Sequence, residues 1–150
     1  MTRKTILIGA DHAGFALKEK IKKLLMKKGY DVQDVGAYTY KKTDDYPVVA
    51  ERLGRGVAKF NSMGILFCGS SAGVCIAANK INGVRAVAAM DKETAKLSRE
   101  HNDANVLCLG AWLSNEKKAE GIINVWFKTK FSNIARHKRR INLIKKLEQR

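Results

Sequence analysis

Apolar residues along this chain fall into short runs, each followed by a turn and then by a stretch in which apolar positions recur with helical spacing. The run Thr5–Ala10 ends in Gly9-Ala10-Asp11-His12-Ala13-Gly14, after which Phe15, Leu17, Ile21, Leu24 and Leu25 mark one face of a helix. Gly29 closes that helix, and Asp31–Gly36 predicts a second strand with Val32 and Val35 inside it. A polar loop, Ala37–Asp45, leads into Asp45-Tyr46-Pro47, where proline suits a first helical turn, and the helix runs to about Phe60. Gly64–Phe67 predicts a third strand and Val74–Lys80 a helix. Val84–Met90 follows as strand four, Lys92–Arg99 as a polar helix and Val106–Gly110 as strand five. Asn115–Thr129 and Asn133–Arg150 read as two further amphipathic helices, the last strongly basic. Strands alternating with helices at this spacing predict a three-layer α/β/α fold around a five-stranded parallel sheet, Rossmann-like in class. At 150 residues without internal repeats, one domain over 1–150 is expected.

The stretch that concentrates candidate chemistry is Met63–Lys80, M-G-I-L-F-C-G-S-S-A-G-V-C-I-A-A-N-K. Cys68 stands where strand becomes turn, and in an open parallel sheet that place faces the ligand crevice. Gly69, Ser70, Ser71 and Gly73 form the turn, whose N–H groups open a helix and are suited to an anion. The same field favours a thiolate.

Composition narrows the class. Apolar residues make up 45% of the chain, there is one proline, and no apolar run approaches the ~18 residues of a membrane span. The run Ile6–Ala10 stops at Asp11, too short for the apolar region of a secretory signal. Three cysteines, Cys68, Cys75 and Cys108, form neither an even set nor a C-x-x-C pair, as expected in a reducing cytosol. A cytoplasmic protein is therefore expected. Net charge is +15, and Lys128–Arg150 carries nine basic residues against one acid. Such an excess attracts phosphorylated metabolites or, nonspecifically, nucleic acid; it is equally compatible with a solvated basic face.

Several phosphate-handling classes fail on single positions. Gly9 and Gly14 do not make G-x-G-x-x-G, although Asp34 lies at the right distance downstream for a ribose contact. Gly69–Gly73 lacks the G-K-[ST] ending of a nucleotide-binding loop. A cysteine phosphatase would need an arginine clamp six residues after Cys68, where Val74 stands. What remains is Asp11, His12, Tyr46, Cys68 and Ser70 at strand ends, a set suited to proton transfer. Cys75 and Cys108 read as small core residues, and no close ligand pair at zinc spacing calls for a metal. His101-Asn102-Asp103 precedes strand five, so a helix would deliver it to the opposite end of the sheet from Cys68. Either it caps a helix or it serves the crevice of a second subunit. Arg136 and Arg140, one turn apart, could grip a phosphate or simply face water.

Taken together, Gly9–Gly14, Asp45-Tyr46-Pro47, Cys68–Gly73, Ile76-Ala77-Ala78-Asn79-Lys80, Ser98–Asn105 and Arg136-His137 resemble the ribose 5-phosphate isomerase B family, which includes allose 6-phosphate and galactose 6-phosphate isomerases. The resemblance implies interconversion of ribose 5-phosphate and ribulose 5-phosphate through a cis-enediol, with neither metal nor cofactor. It makes Cys68 the base between C1 and C2, Ser70 the proton shuttle between oxygens, and Gly69, Ser71, Ala72 and Gly73 the cradle of the enediolate. His101 would open the sugar ring with Asp11 assisting. Tyr46 would line the substrate site and Asn102 bind the sugar, while His12, Arg136 and Arg140 would hold phosphate. It also implies a homodimer or dimer of dimers with composite sites. Some relatives use a glutamate where this chain has Val74, which leaves Cys68 as the candidate base. Trp112 departs from the arginine that many relatives carry after strand five. Against the ribose reading stand a hexose 6-phosphate isomerase and, more remotely, a nucleic-acid-binding protein. The latter is disfavoured by only 7% aromatics and no stacking platform.

Overall fold

A computed structural model of the chain describes residues 5–149. The chain runs β1 (Ile6–Ala10), α1 (Phe15–Lys27), β2 (Val32–Asp34), α2 (Tyr46–Phe60), β3 (Met63–Cys68) and α3 (Ala72–Ala78). It continues through β4 (Ala86–Ala88), α4 (Lys92–Asn102), β5 (Val106–Gly110), α5 (Glu116–Lys128) and α6 (Ala135–Leu147). All strand pairs are parallel, in the order β2-β1-β3-β5-β4, as the alternation of elements predicts.

The two-residue period of the strands sorts the core into two layers. Ile6 and Ile8 of β1, Ile65 and Phe67 of β3, and Leu107 and Leu109 of β5 pack on one face against α1, α4 and α5. Leu7, Leu66, Cys68, Val106 and Cys108 face the other way, against α2 and α3. Strands covered on both faces must be apolar throughout, which is why β1 and β5 are buried at every position. Each fully buried Ile, Leu or Phe contributes roughly 1.5–3 kcal/mol. Handedness fixes the layers: the chain reverses direction after β2, so right-handed crossovers send α1 and α2 to opposite faces. That reversal makes the gap between the carboxyl ends of β1 and β3 a topological switch point, where open α/β sheets bind ligands.

Element boundaries differ from expectation for local reasons. β2 ends at Asp34, short of Val35, because the Asp34 carboxylate accepts the Gly36 N–H at 2.9 Å and Gly36 turns the chain at φ +112°. β4 is confined to Ala86–Ala88. Asn79 ends α3 and binds both backbone groups of Ala86, at 2.8 and 2.9 Å, so the residues expected to extend that helix make a turn. α4 runs three residues beyond Arg99 and closes on Asp103 in the left-handed region at φ +45°. The basic segment becomes helical only at Ala135, after Asn133 at φ +58°; its expected last residue, Arg150, lies outside the described residues.

Candidate active site

Two turns meet at the switch point. After β1, Asp11 is buried, its N–H donates to the Phe67 carbonyl at 3.2 Å, and its Oδ1 accepts the Gly14 N–H at 3.0 Å. Gly14 is required there: a Cβ would lie 2.4 Å from the Phe67 carbonyl carbon. The first turn is thereby held against the end of β3, with Asp11 and Cys68 each one residue beyond the Ala10–Phe67 pair that ends the β1/β3 register.

The second turn is braced from the opposite side. Ala111 and Trp112 donate their N–H groups to the carbonyls of Cys68 and Gly69, at 2.8 and 3.0 Å. A trans peptide carries its N–H opposite its carbonyl, so the N–H groups of Gly69 and Ser70 point away from the segment after β5 that holds those carbonyls. Ser71 sits in the left-handed region at φ +69° as the N-cap of α3, and the Ser70 hydroxyl oxygen accepts the Ala72 N–H at 3.4 Å. Cys68 is 4% exposed, its side chain on the α2/α3 face beside Val74.

Aromatic rings flank this turn. The Tyr46 phenol packs on Gly73, where a Cβ would lie 2.7 Å from its Cζ, and the Trp112 indole packs on Gly69, where a Cβ would lie 2.5 Å from Cε2. Trp112 is nevertheless 75% exposed, so the outer face of its indole meets solvent. Asp11, His12, Tyr46, Cys68, Gly69, Ser70, Ser71, Ala72 and Gly73 are thus gathered by one end of one sheet.

His12 is engaged by a residue that the sequence motifs miss. Asp44 Oδ1 accepts the His12 backbone N–H at 3.0 Å and meets Nδ1 of the same residue at 2.7 Å, while the Tyr40 ring stands edge-on to the imidazole. Asp45, the aspartate inside the recognisable Asp-Tyr-Pro motif, occupies the N-cap of α2 without a side-chain capping bond. Nothing local to Asp44 signals its partner; the two residues are 32 positions apart. Asp11, His12 and Asp44 present donor atoms of metal-binding type within 4.8 Å of one another, each carboxylate already accepting a hydrogen bond.

His101, Asn102, Arg136 and Arg140 lie elsewhere. His101 and Asn102 end α4 just before β5 begins, so they belong to the amino end of the sheet. The four residue steps of β5 alone span about 13 Å. The exposed His101 ring packs at a tilt of 40° against buried His137, ring centroids 4.4 Å apart, and His137 Nδ1 meets Ser132 Oγ at 2.7 Å. Burial, then the charges of His101, Arg136 and Arg140, hold the His137 imidazole below its ordinary pKa. A groove of about 600 Å³ lined by Asn79, Arg85, Asn102 and Ile144 opens on this side. One copy of the chain therefore carries two separated sets of the expected site residues.

The remaining thiols differ in setting. Cys108 is fully buried, as expected, and burial pushes its thiol well above the usual range. Cys75 is only half-buried; a hydrogen bond with Cys108 outweighs its own desolvation and lowers its pKa to about 7. Asp34, suited by position to a ribose contact, is instead held by Lys18 and Lys22.

Ribose-5-phosphate isomerase B of Escherichia coli is 39% identical over 148 residues, covering 98% of each chain. The solved structure of ribose-5-phosphate isomerase B from Clostridium thermocellum superposes with a TM-score of 0.93 at 38% identity, over 97% of each chain. The Mycoplasma genitalium enzyme, solved with ribulose 5-phosphate bound, gives 0.92 at 38% identity, over 97% of this chain and 96% of that one. Residues 6–144 match the Ribose/Galactose Isomerase family, and the chain belongs to it.

Proposed function

We propose that this chain, a single isomerase domain, interconverts ribose 5-phosphate and ribulose 5-phosphate. The observation that carries the reading is the second turn, where Cys68 ends β3 next to the Asp11 turn at a topological switch point and the Cys68 and Gly69 carbonyls are held by Ala111 and Trp112. The relatives at 38–39% identity are ribose-5-phosphate isomerases B, which favours the pentose over a hexose 6-phosphate.

In the proposed reaction, His101 of a second subunit, assisted by Asp11, opens the furanose ring by moving a proton between the anomeric hydroxyl and the ring oxygen. Cys68 as thiolate then removes the C2 proton of the open aldose. The electron pair moves into a C1–C2 double bond, and charge collects on O1. The N–H groups of Gly69 and Ser70, with the rest of the turn through Gly73, stabilise that oxyanion; fixed donors of this kind act without reorganisation. Ser70 passes a proton from O2 to O1, and the Cys68 thiol returns its proton to C1, giving the ketose. Tyr46 borders the substrate, Asn102 binds sugar hydroxyls, and His12 with Arg136 and Arg140 holds the phosphate.

Because His101, Asn102, Arg136 and Arg140 lie at the far end of the sheet from Cys68, the complete site is proposed to form between two copies, in a homodimer or dimer of dimers. The basic surface is assigned to attraction of the anionic substrate, with nucleic acid attracted only nonspecifically. The test is NMR of ribose 5-phosphate with the protein in deuterated water. Ribulose 5-phosphate and deuterium at C2 of recovered ribose 5-phosphate are expected; absence of both overturns the proposal.

A further inference from the structure

The least explained feature of the crevice is the pair of hydrogen bonds converging on one oxygen of Asp44. A carboxylate only accepts, so the 2.7 Å contact requires a proton on His12 Nδ1. The second bond, from the His12 backbone N–H at 3.0 Å, ties the same carboxylate to the main chain that carries the ring. Both bonds together fix where the ring sits and how it is turned about its side-chain torsions. With Nδ1 aimed at Asp44, Nε2 points away from it, on a side chain that is 30% exposed at the carboxyl end of β1. Asp44 is itself tethered, its N–H donating to the Lys41 carbonyl at 3.0 Å.

We propose that Asp44 is a positioning residue for substrate binding: it locks His12 as the Nδ1–H form, so that the ring meets the phosphosugar through Nε2 alone. Neutral His12 then offers Nε2 as an acceptor for a hydroxyl proton, and protonated His12 offers Nε2–H as a donor to phosphate oxygen. Free of Asp44, the neutral ring has a second tautomer and other orientations in which Nε2 is misdirected. The contribution is therefore to substrate affinity through another residue, with no contact between Asp44 and substrate. The choice of phosphosugar as ligand rests on the isomerase reading; the locking of the tautomer does not.

The experiment compares wild type with Asp44→Asn and Asp44→Ala, using Asp44→Glu for rescue and thermal melting to establish that each folds. Nitrogen-15 spectra of the imidazoles, assigned with His12→Ala, are expected to show a protonated Nδ1 at His12 in wild type and a tautomer mixture in Asp44→Ala. For ribose 5-phosphate, KM in Asp44→Ala should rise about tenfold with kcat within about twofold, the size of one charge-assisted hydrogen bond lost. Asp44→Glu should recover part of that loss. In a His12→Ala background Asp44→Ala should add nothing further. An unchanged His12 tautomer in Asp44→Ala, or a full effect of Asp44→Ala without His12, overturns the proposal. If the protein isomerises no phosphosugar at all, the isomerase reading fails while the spectra still decide the locking by Asp44.

Discussion

Lys18, with no exposed side-chain surface, reaches across from α1 to place its ammonium 2.9 Å from each carboxylate oxygen of Asp34. The same ammonium donates to the Ala37 carbonyl, while Asp34 also receives Lys22 at 2.7 Å and the Gly36 N–H. The knot fastens the chain leaving β2, the start of the loop that carries Asp44 toward His12. An aspartate about twenty residues after a glycine turn invites a nucleotide reading; here a buried cation occupies it.

Breaking that knot should be costly, because a charge left partly buried with fewer partners is worse than none. Lys18→Met is expected to lower unfolding free energy by about 3 kcal/mol in urea titrations. A loss below about 1 kcal/mol would show that Lys22 suffices. The knot also sets an acid dependence. Burial alone would raise the Asp34 carboxyl, but hydrogen bonds from Lys22 and Lys18 and the Gly36 N–H bring it below its ordinary value of 3.8. The unfolded chain then takes up this proton first as pH falls, so the stabilisation is present above about pH 4 and is lost through the folded value. Melting temperatures should fall more steeply below pH 4 in wild type than in Asp34→Asn.

Cys68→Ala removes the proposed base while leaving the backbone of the turn in place. kcat is expected to fall by a factor on the order of 10² or more with little change in melting temperature. Cys75→Ser, at a thiol on the α3 helix beyond the turn, is the control and should keep kcat within about twofold. Equal losses from both would remove Cys68 from its special role.

The contact between Trp112 and Gly69 predicts a conditional effect. Gly69→Ala drives a methyl to 2.5 Å from the indole, which is exposed enough to swing aside, so folding should survive. The displaced ring and shifted turn should lower kcat about tenfold. Adding Trp112→Ala should restore most of it. A double variant as slow as Gly69→Ala would place the fault in the turn itself.

The separation of His101 from Cys68 predicts complementation between inactive variants. Cys68→Ala and His101→Ala, unfolded together and refolded as a mixture, should yield mixed dimers in which one site is intact. Activity should recover to about a quarter of wild type, as random pairing of two equal populations gives. No recovery, with mixed dimers demonstrated by mass spectrometry, would reject the composite site.

The layered architecture, and which polar residues stand at strand ends, were legible in the residue pattern. Alternating apolar runs and helical periods required covered parallel strands, and glycine-rich turns after β1 and β3 located Asp11, His12, Cys68 and Ser70 at the crevice. It also placed His101 at the wrong end for Cys68, since a helix returning from the carboxyl edge must finish at the amino edge. Which polar side chains pair follows from the folded arrangement of strands and loops. Local periodicity reports which face a residue takes, whereas partners 16 or 32 positions apart depend on the strand order β2-β1-β3-β5-β4 and the paths of the connecting loops. That order brought Asp34 to Lys18, Asp44 to His12 and the exposed Trp112 over Gly69.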